Sequence, residues 1–121
     1  MNYGKKFKFE SLVIWQKAMN FGERLNNMAY EFPKIEQYNL CSQLRRAGDS
    51  IALNISEGSI GQTNKEFQRF MGYAIRSLAE VITCLYKALN REYISKERFD
   101  HFYDSSYELM NMMIAFKKSL R

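Results

Sequence analysis

Apolar side chains recur every three or four residues in four long segments of the chain, a spacing typical of amphipathic helices. In the first segment, Glu10 or Ser11 can cap a helix that runs to about Glu31. The predicted apolar face of this helix consists of Ile14, Ala18, Phe21, Gly22, Leu25 and Ala29. Pro33 ends the helix, because the residue before a proline is disfavoured in helical backbone angles.

The second helix is predicted to begin between Ile35 and Asn39. We expect Gly58 to follow its last turn, since glycine accepts the left-handed conformation that often ends a helix. Beside the apolar side chains of this helix runs a polar stripe at steps of three, four, four and three residues: Gln43, Arg46, Ser50, Asn54 and Glu57. Polar groups beside a core need hydrogen-bond partners. The stripe therefore predicts an internal network that fixes how helices and subunits meet, or alternatively a ligand-binding surface.

A capping box marks the start of the third helix, where Thr63 and Glu66 can each bind a backbone amide of the first turn. This helix extends to about Asn90. After a short turn, Ser95 caps a fourth helix that reaches about Ser119. Its apolar arc is predicted to contain Phe99, Phe102, Tyr103, Met110, Met113, Ile114, Phe116 and Leu120.

Four amphipathic helices joined by short loops predict an all-α fold, an antiparallel up-down-up-down four-helix bundle. Nothing in the pattern indicates a strand or a linker, so residues 1–121 are predicted to form a single domain.

Residues 1–9 form a basic N-terminal arm in which lysines alternate with aromatic residues: Tyr3, Lys5, Lys6, Phe7, Lys8 and Phe9. This arm can contact nucleic acid, or its rings can dock on the bundle while the lysines stay in water.

The composition of the chain gives it a modest positive net charge. The 121 residues carry a net charge of +5 and a pI near 9.2, which permits anionic partners without requiring them. The sequence has no apolar run long enough for a membrane span and no apolar segment behind its basic start that would make a signal peptide. Cys41 and Cys84 are expected to be buried thiols of a cytoplasmic protein rather than a disulfide.

The third helix carries the best candidate binding surface. Five cationic residues fall within about an 80° arc on the face opposite its core: Lys65, Arg69, Arg76, Lys87 and Arg91. We predict that they contact successive phosphates of a nucleic acid, with Arg45 and Arg46 as secondary candidates. The alternative is an ordinary solvated face, with Arg76 and Glu80 as an ion pair one turn apart.

The sequence offers few residues that could form a catalytic or metal site. His101 is the only histidine, so a two-histidine zinc site or a Glu-x-x-His di-iron site has no ligands, and we predict neither metal nor cofactor. A cysteine paired with His101 has no supporting local pattern. No phosphate-binding Gly-Lys-Ser/Thr loop is present. The amides near Thr63 can hold a phosphate, although the capping box uses the same groups.

The order of several short motifs resembles the four-helix-bundle family of proteins encoded in intervening sequences of bacterial large-subunit ribosomal RNA genes. The motifs are Trp15-Gln16-Lys17-Ala18, Phe32-Pro33, Gln43-Leu44-Arg45-Arg46-Ala47, Ser50-Ile51, Asn54-Ile55, Glu57-Gly58, Lys65-Glu66-Phe67, Ala74, Ser77-Leu78 and Glu80. The resemblance implies an antiparallel four-helix bundle that assembles as a homopentamer. Similar bundles are accessory proteins of diversity-generating retroelements, in which a basic pentameric barrel binds nucleic acid and a reverse transcriptase.

Two positions differ from the pattern of that family. Gly61-Gln62 stands where the family often has Gly-Arg, so a possible phosphate contact in that loop is absent. Arg76 stands where a glycine is common, which adds a charge in place of a small residue.

From the helix pattern, the charges and the resemblance together, we predict a non-enzymatic homo-oligomer that binds nucleic acid, with RNA favoured, through its third helix. The alternative is a protein–protein interaction scaffold or accessory subunit without direct nucleic-acid contact.

Overall fold

A computed structural model describes residues 6–121 of the chain, so Tyr3 and Lys5 of the predicted arm lie outside the described residues. Four helices account for most of it: α1 (Val13–Ala29), α2 (Leu40–Ser59), α3 (Asn64–Asn90) and α4 (Lys96–Ser119). Short 3₁₀ helices cover Lys8–Ser11 and Lys34–Glu36. No strand occurs in residues 6–121, and the predicted all-α fold is confirmed.

The contact between α2 and α3 is the most extensive one in the bundle, and the two helices run antiparallel. Ser50 and Ser77 meet near the middle of the two helices, with 2.7 Å between their hydroxyl oxygens. Gly58, near the end of α2, lies against Phe67, near the start of α3. α1 packs on α2 and α4 packs on α3 in the same antiparallel manner, which confirms the up-down-up-down arrangement.

The core is built from the apolar faces that the periodicity predicts. Side chains that are fully inaccessible to solvent come from all four helices and include Leu25, Leu44, Ile51, Leu78, Leu85 and Met113. The fourth helix departs from its predicted arc. Tyr103 is 38% exposed, whereas Ser106 and Leu109 are buried. Ser106 can be buried because its hydroxyl donates to the carbonyl oxygen of Phe102 at 2.8 Å, so no polar group is left unsatisfied.

α1 and α4 share a smaller contact, in which the buried rings of Phe21 and Phe102 lie 6.3 Å apart and ion pairs lie at the surface. The Lys17 ammonium lies 2.8 Å from a carboxylate oxygen of Glu108, and Arg98 binds both carboxylate oxygens of Glu31 at 2.8 Å. Exposed pairs of this kind each contribute little to stability. The contacts of α1 with α2 and of α4 with α3 are more extensive than the contact between α1 and α4.

The start of α1 differs from the sequence prediction. The first helical residue is Val13, and the preceding Leu12 has no side chain that can cap a helix. The carboxylate of Glu10 instead accepts the backbone amide of Phe7 at 2.9 Å within the preceding 3₁₀ turn. The prediction that Glu10 or Ser11 caps this helix is wrong, because Glu10 is used one turn earlier and Ser11 lies inside that turn.

Gly58 is also placed differently from the prediction. It lies inside α2, which continues through Ser59, and its φ angle is not positive. A Cβ added at Gly58 would lie 2.8 Å from the side chains of Phe67 and Phe70. Glycine is required here because α3 approaches closely, rather than because the helix must turn.

The hydroxyl caps predicted for the last two helices are present, but the Glu66 half of the capping box predicted for α3 is not formed. Thr63 Oγ1 accepts the amide of Glu66 at 3.1 Å, and Ser95 Oγ accepts the amide of Arg98 at 3.1 Å. The turn between these helices places Glu92 at φ 61°, in the left-handed region. The predicted turn after α3 is confirmed.

Glu36 joins this turn to the loop between α1 and α2. Its carboxylate is 9% exposed and accepts the Tyr93 hydroxyl at 2.6 Å, Arg91 Nη1 at 3.0 Å, Asn39 Nδ2 at 3.0 Å and the Leu40 amide at 3.4 Å. The Tyr93 hydrogen bond contributes most to lowering the pKa of Glu36, and burial acts in the opposite direction. Glu36 thus holds the start of α2 against the end of α3.

Two glycine substitutions should have opposite effects on stability. Gly58→Ala is expected to lower the free energy of unfolding by about 1–3 kcal/mol, because the new methyl group overlaps Phe67 and Phe70. Gly72→Ala should raise it by up to about 1 kcal/mol, since alanine favours the helix and the added Cβ meets Lys117 Nζ at an ordinary 3.6 Å. Urea unfolding followed by circular dichroism measures both. Equal stability of the two variants would contradict the close approach at Gly58.

Acid should weaken the fold through Glu36. The pKa of Glu36 in the folded protein lies below its ordinary value of 4.5, so the unfolded chain takes up the proton at higher pH. Its stabilising contribution is present above pH 4.5 and is lost as pH falls through the lowered pKa. The free energy of unfolding of Glu36→Gln should therefore depend less on pH in this window than that of the wild type. Glu97→Gln is the control, because its carboxylate is exposed and has no basic partner within ion-pair distance in residues 6–121.

Candidate nucleic-acid interface

The five cations predicted on the third helix are all exposed, four along α3 and Arg91 directly after its last residue: Lys65, Arg69, Arg76, Lys87 and Arg91. The opposite face of the helix is buried in the core, so packing fixes which way the five side chains leave the helix. From the first to the last, the positions span about 39 Å of helix axis. We call these five residues the basic ridge.

Arg91 differs from the rest of the basic ridge. Its side chain is 40% exposed, and its guanidinium lies 3.0 Å from the carboxylate of Glu36, so part of its charge is already compensated. Within residues 6–121, the other ridge cations have no carboxylate within ion-pair distance. In particular, Arg76 and Glu80 do not form the ion pair that the alternative interpretation requires. Four ridge cations are therefore available to an external anion.

More positive charge gathers where α3 begins. A shallow depression of about 580 Å³ at this end is lined by Thr63, Lys65, Glu66, Gln68, Arg69 and Lys117. The Gln68 side-chain amide donates to the backbone carbonyl of Leu120, which holds the end of α4 beside the start of α3. Lys117 lies outside the surface predicted from the sequence. The signal for it was the antiparallel order of the helices, which brings the end of α4 next to Lys65.

The two secondary candidates on α2 point to different sides of the helix. Arg45 Nε donates to Asn26 Oδ1 at 2.8 Å, and its guanidinium carbon lies 5.0 Å from the centre of the Tyr30 ring. Arg45 therefore faces α1 and does not join the basic ridge. Arg46 is exposed and lies one turn before Ser50, on the flank of α2 that faces α3.

The polar stripe of α2 divides into two parts. At its centre, Asn54 Nδ2 donates to the Ser50 carbonyl oxygen at 2.8 Å and to Ser50 Oγ at 2.9 Å. Ser50 is in turn bonded to Ser77 of α3, so these groups form a network between two helices of the same chain. The other members of the stripe are exposed: Gln43, Arg46 and Glu57.

The N-terminal arm contacts the bundle through part of its length. The Phe9 ring packs on Trp15 with 5.1 Å between ring centres, whereas Phe7 is 61% exposed. Lys8 Nζ lies 5.9 Å from the centre of the Phe67 ring, near the start of α3. The arm thus combines a docked ring with a lysine that lies over Phe67, on the core side of α3.

The two cysteines and the histidine considered as catalytic candidates have the following surroundings. Cys41 and Cys84 are buried free thiols, and burial raises the pKa of both, which disfavours the thiolate that a nucleophile needs. His101 is exposed, and its Nε2 lies 2.8 Å from a guanidinium nitrogen of Arg24. In the described part of the chain, no three histidine, cysteine or acidic residues cluster as metal ligands would. None of the helices there is both long and apolar enough to span a membrane.

Comparison with known proteins places these features in a family. One solved structure with the same fold is that of a protein of unknown function from the S23 ribosomal protein family of Bacteroides thetaiotaomicron VPI-5482, determined at 1.70 Å resolution. It is 24% identical to this chain, with a TM-score of 0.82 over 88% of this chain and 99% of the other. No curated protein matches the sequence. The sequence model of the 23S rRNA-intervening sequence proteins matches residues 10–115, and the chain belongs to this family.

Proposed function

We propose that this protein is a non-enzymatic, nucleic-acid-binding oligomer that contacts phosphates through the basic ridge. The observation that carries the proposal is the set of four exposed cations without a carboxylate partner on one face of α3: Lys65, Arg69, Arg76 and Lys87. Long cationic side chains on a fixed helix can reach several phosphates of one strand without a preformed groove.

The distribution of charge favours one orientation of the ligand. The outer face of α4 is acidic, with four exposed carboxylates: Glu97, Asp100, Asp104 and Glu108. Asp100 and Glu108 have lysine partners, whereas Glu97 and Asp104 have none within ion-pair distance in the described residues. A polyanion is therefore attracted to the α3 side of the bundle and repelled by the outer face of α4.

RNA is the preferred ligand in this proposal. The name of the family refers to intervening sequences of 23S rRNA, which makes a structured fragment of that RNA the natural first probe. Phosphate contacts by themselves do not distinguish RNA from DNA, so a DNA duplex of matched length is the necessary comparison. Four phosphate contacts predict a slope of about −3 when the logarithm of the binding constant is plotted against that of the salt concentration.

Reversing two ridge charges should weaken binding strongly. The variant Arg69→Glu/Arg76→Glu is expected to bind the RNA fragment at least about tenfold more weakly and to lower the salt slope by about 1.5. Fluorescence anisotropy across a salt series measures both quantities. Lys34→Glu/Lys96→Glu is the matched control, because two reversals of two charges each take the net charge from +5 to +1 in either variant. If both variants bind alike, net charge rather than the basic ridge governs binding.

An exposed apolar groove favours self-association, the second part of the proposal. The groove lies between α1 and α2, has a volume of about 360 Å³ and includes Phe9, Trp15, Met19, Ala52 and Leu53 among its lining residues. Leu53 is 57% exposed and continues the apolar lining of the groove onto the surface, and contiguous apolar patches of this kind mark interaction sites. We propose that a second copy of the chain packs here in a homopentamer. The scaffold alternative requires the same groove to hold a different protein.

Two neighbouring substitutions locate the surface used for assembly. A pentamer of 14.4 kDa chains has a mass of about 72 kDa, five times that of one chain. Leu53→Glu is expected to reduce the mass measured by light scattering, because it places a charge in the groove. Asn54→Leu should leave the mass unchanged, since Asn54 bonds to Ser50 inside the chain. The opposite pattern would assign assembly to the polar stripe, and a monomeric wild type would refute the pentamer.

A further inference from the structure

One exposed aromatic residue lies within the basic ridge. Tyr73 follows Arg69 by four residues and precedes Arg76 by three, so the three side chains leave adjacent parts of the same helix face. The Tyr73 residue is 41% exposed. Its ring meets the half-buried Phe70 edge to face, with 5.5 Å between ring centres. The guanidinium of Arg69 lies 5.5 Å from the centre of that same Phe70 ring.

This arrangement provides two kinds of contact side by side. The positions of Arg69 and Arg76 are about 10.5 Å apart along the helix axis, with Tyr73 between them. Guanidinium groups bind phosphates, and an aromatic ring supported from one side offers a surface on which a base can stack. In a duplex, both faces of each base are already covered by its neighbours, so only an unpaired base can use such a ring.

We propose that Tyr73 is a stacking residue for an unpaired base and that the ligand is a single-stranded segment of nucleic acid. The proposal rests on the proposed function, because Arg69 and Arg76 must hold the phosphates on either side of the stacked base. It adds a preference for single strands over duplexes, which the charges of the ridge alone do not produce.

Two other exposed tyrosines, Tyr30 and Tyr86, lack this combination. Tyr30 already has the guanidinium of Arg45 over its ring, at 5.0 Å from the ring centre. Tyr86 packs against Phe99 of α4, with 4.8 Å between ring centres, on the side of α3 that borders the acidic outer face of α4. Tyr86 is 46% exposed, close to the exposure of Tyr73, which makes it a matched control.

The test compares binding of a 12-nucleotide RNA strand, a DNA strand of the same sequence and a duplex of the same length by fluorescence anisotropy. Tyr73→Ala is expected to weaken binding of both single strands by about 5- to 100-fold and to leave duplex binding unchanged. Tyr73→Phe should keep the single-strand affinity, because stacking needs the ring and not the hydroxyl. Tyr86→Ala should bind all probes as the wild type does.

A second measurement reports stacking directly. A strand that contains 2-aminopurine should lose fluorescence on binding the wild type and keep it on binding Tyr73→Ala at saturating protein. Circular dichroism checks that each variant has the helix content and melting temperature of the wild type.

The outcomes separate this inference from the proposed function. If Tyr73→Ala binds single strands as the wild type does while Arg69→Glu/Arg76→Glu does not, the ridge binds phosphates but Tyr73 does not stack. If Tyr73→Ala weakens duplex binding as much as single-strand binding, the stacking role is likewise refuted. If neither substitution changes the affinity for any probe, the proposed function itself fails.

Discussion

The close packing of α2 on α3 is the constraint on which the arrangement of the other elements depends. Gly58 brings the two backbones together at one end, and Ser50 and Ser77 hydrogen-bond at the middle. At the other end, Glu36 binds Arg91 across the loops. Three contacts along one pair of helices fix the register between them. Because α1 packs on α2 and α4 packs on α3, this register also fixes which face of α3 remains in solvent.

Much of the fold follows from the sequence because its signals are local. Apolar periodicity reveals each helix, and hydroxyl caps such as Thr63 and Ser95 act within a single turn. The sequence predictions fail where residues distant in the chain determine the role of a position. Gly58 has the chemistry of a helix end, but the rings of Phe67 and Phe70 give it a packing role. Its neighbours in α3 could not be known before the helices were paired.

In the candidate site too, local features follow from the sequence and long-range contacts do not. The ridge cations could be assigned to one face from the sequence, because four of them belong to one helix and Arg91 directly follows it. Their partners could not be assigned. Arg91 is bound by Glu36, which lies 55 residues earlier in the chain, and Arg45 is turned toward α1 by Asn26 and Tyr30. Arg45 and Arg46 are adjacent in sequence yet face different neighbours, since successive helical residues are about 100° apart.

The packing of α3 also determines how much conformational freedom the protein would lose on binding a nucleic acid. The helix is 27 residues long and is held by α2 on one flank and α4 on the other, so its backbone needs no further ordering. In the proposed complex, the protein restricts only its long side chains, each at a cost of about 0.5–1.5 kcal/mol. Tyr73 has few rotatable bonds and rests on Phe70, so it loses less freedom than an arginine does. A flexible single strand would therefore adapt to the rigid helix. Because its bases are unpaired, such a strand would bind more tightly than a stiff duplex.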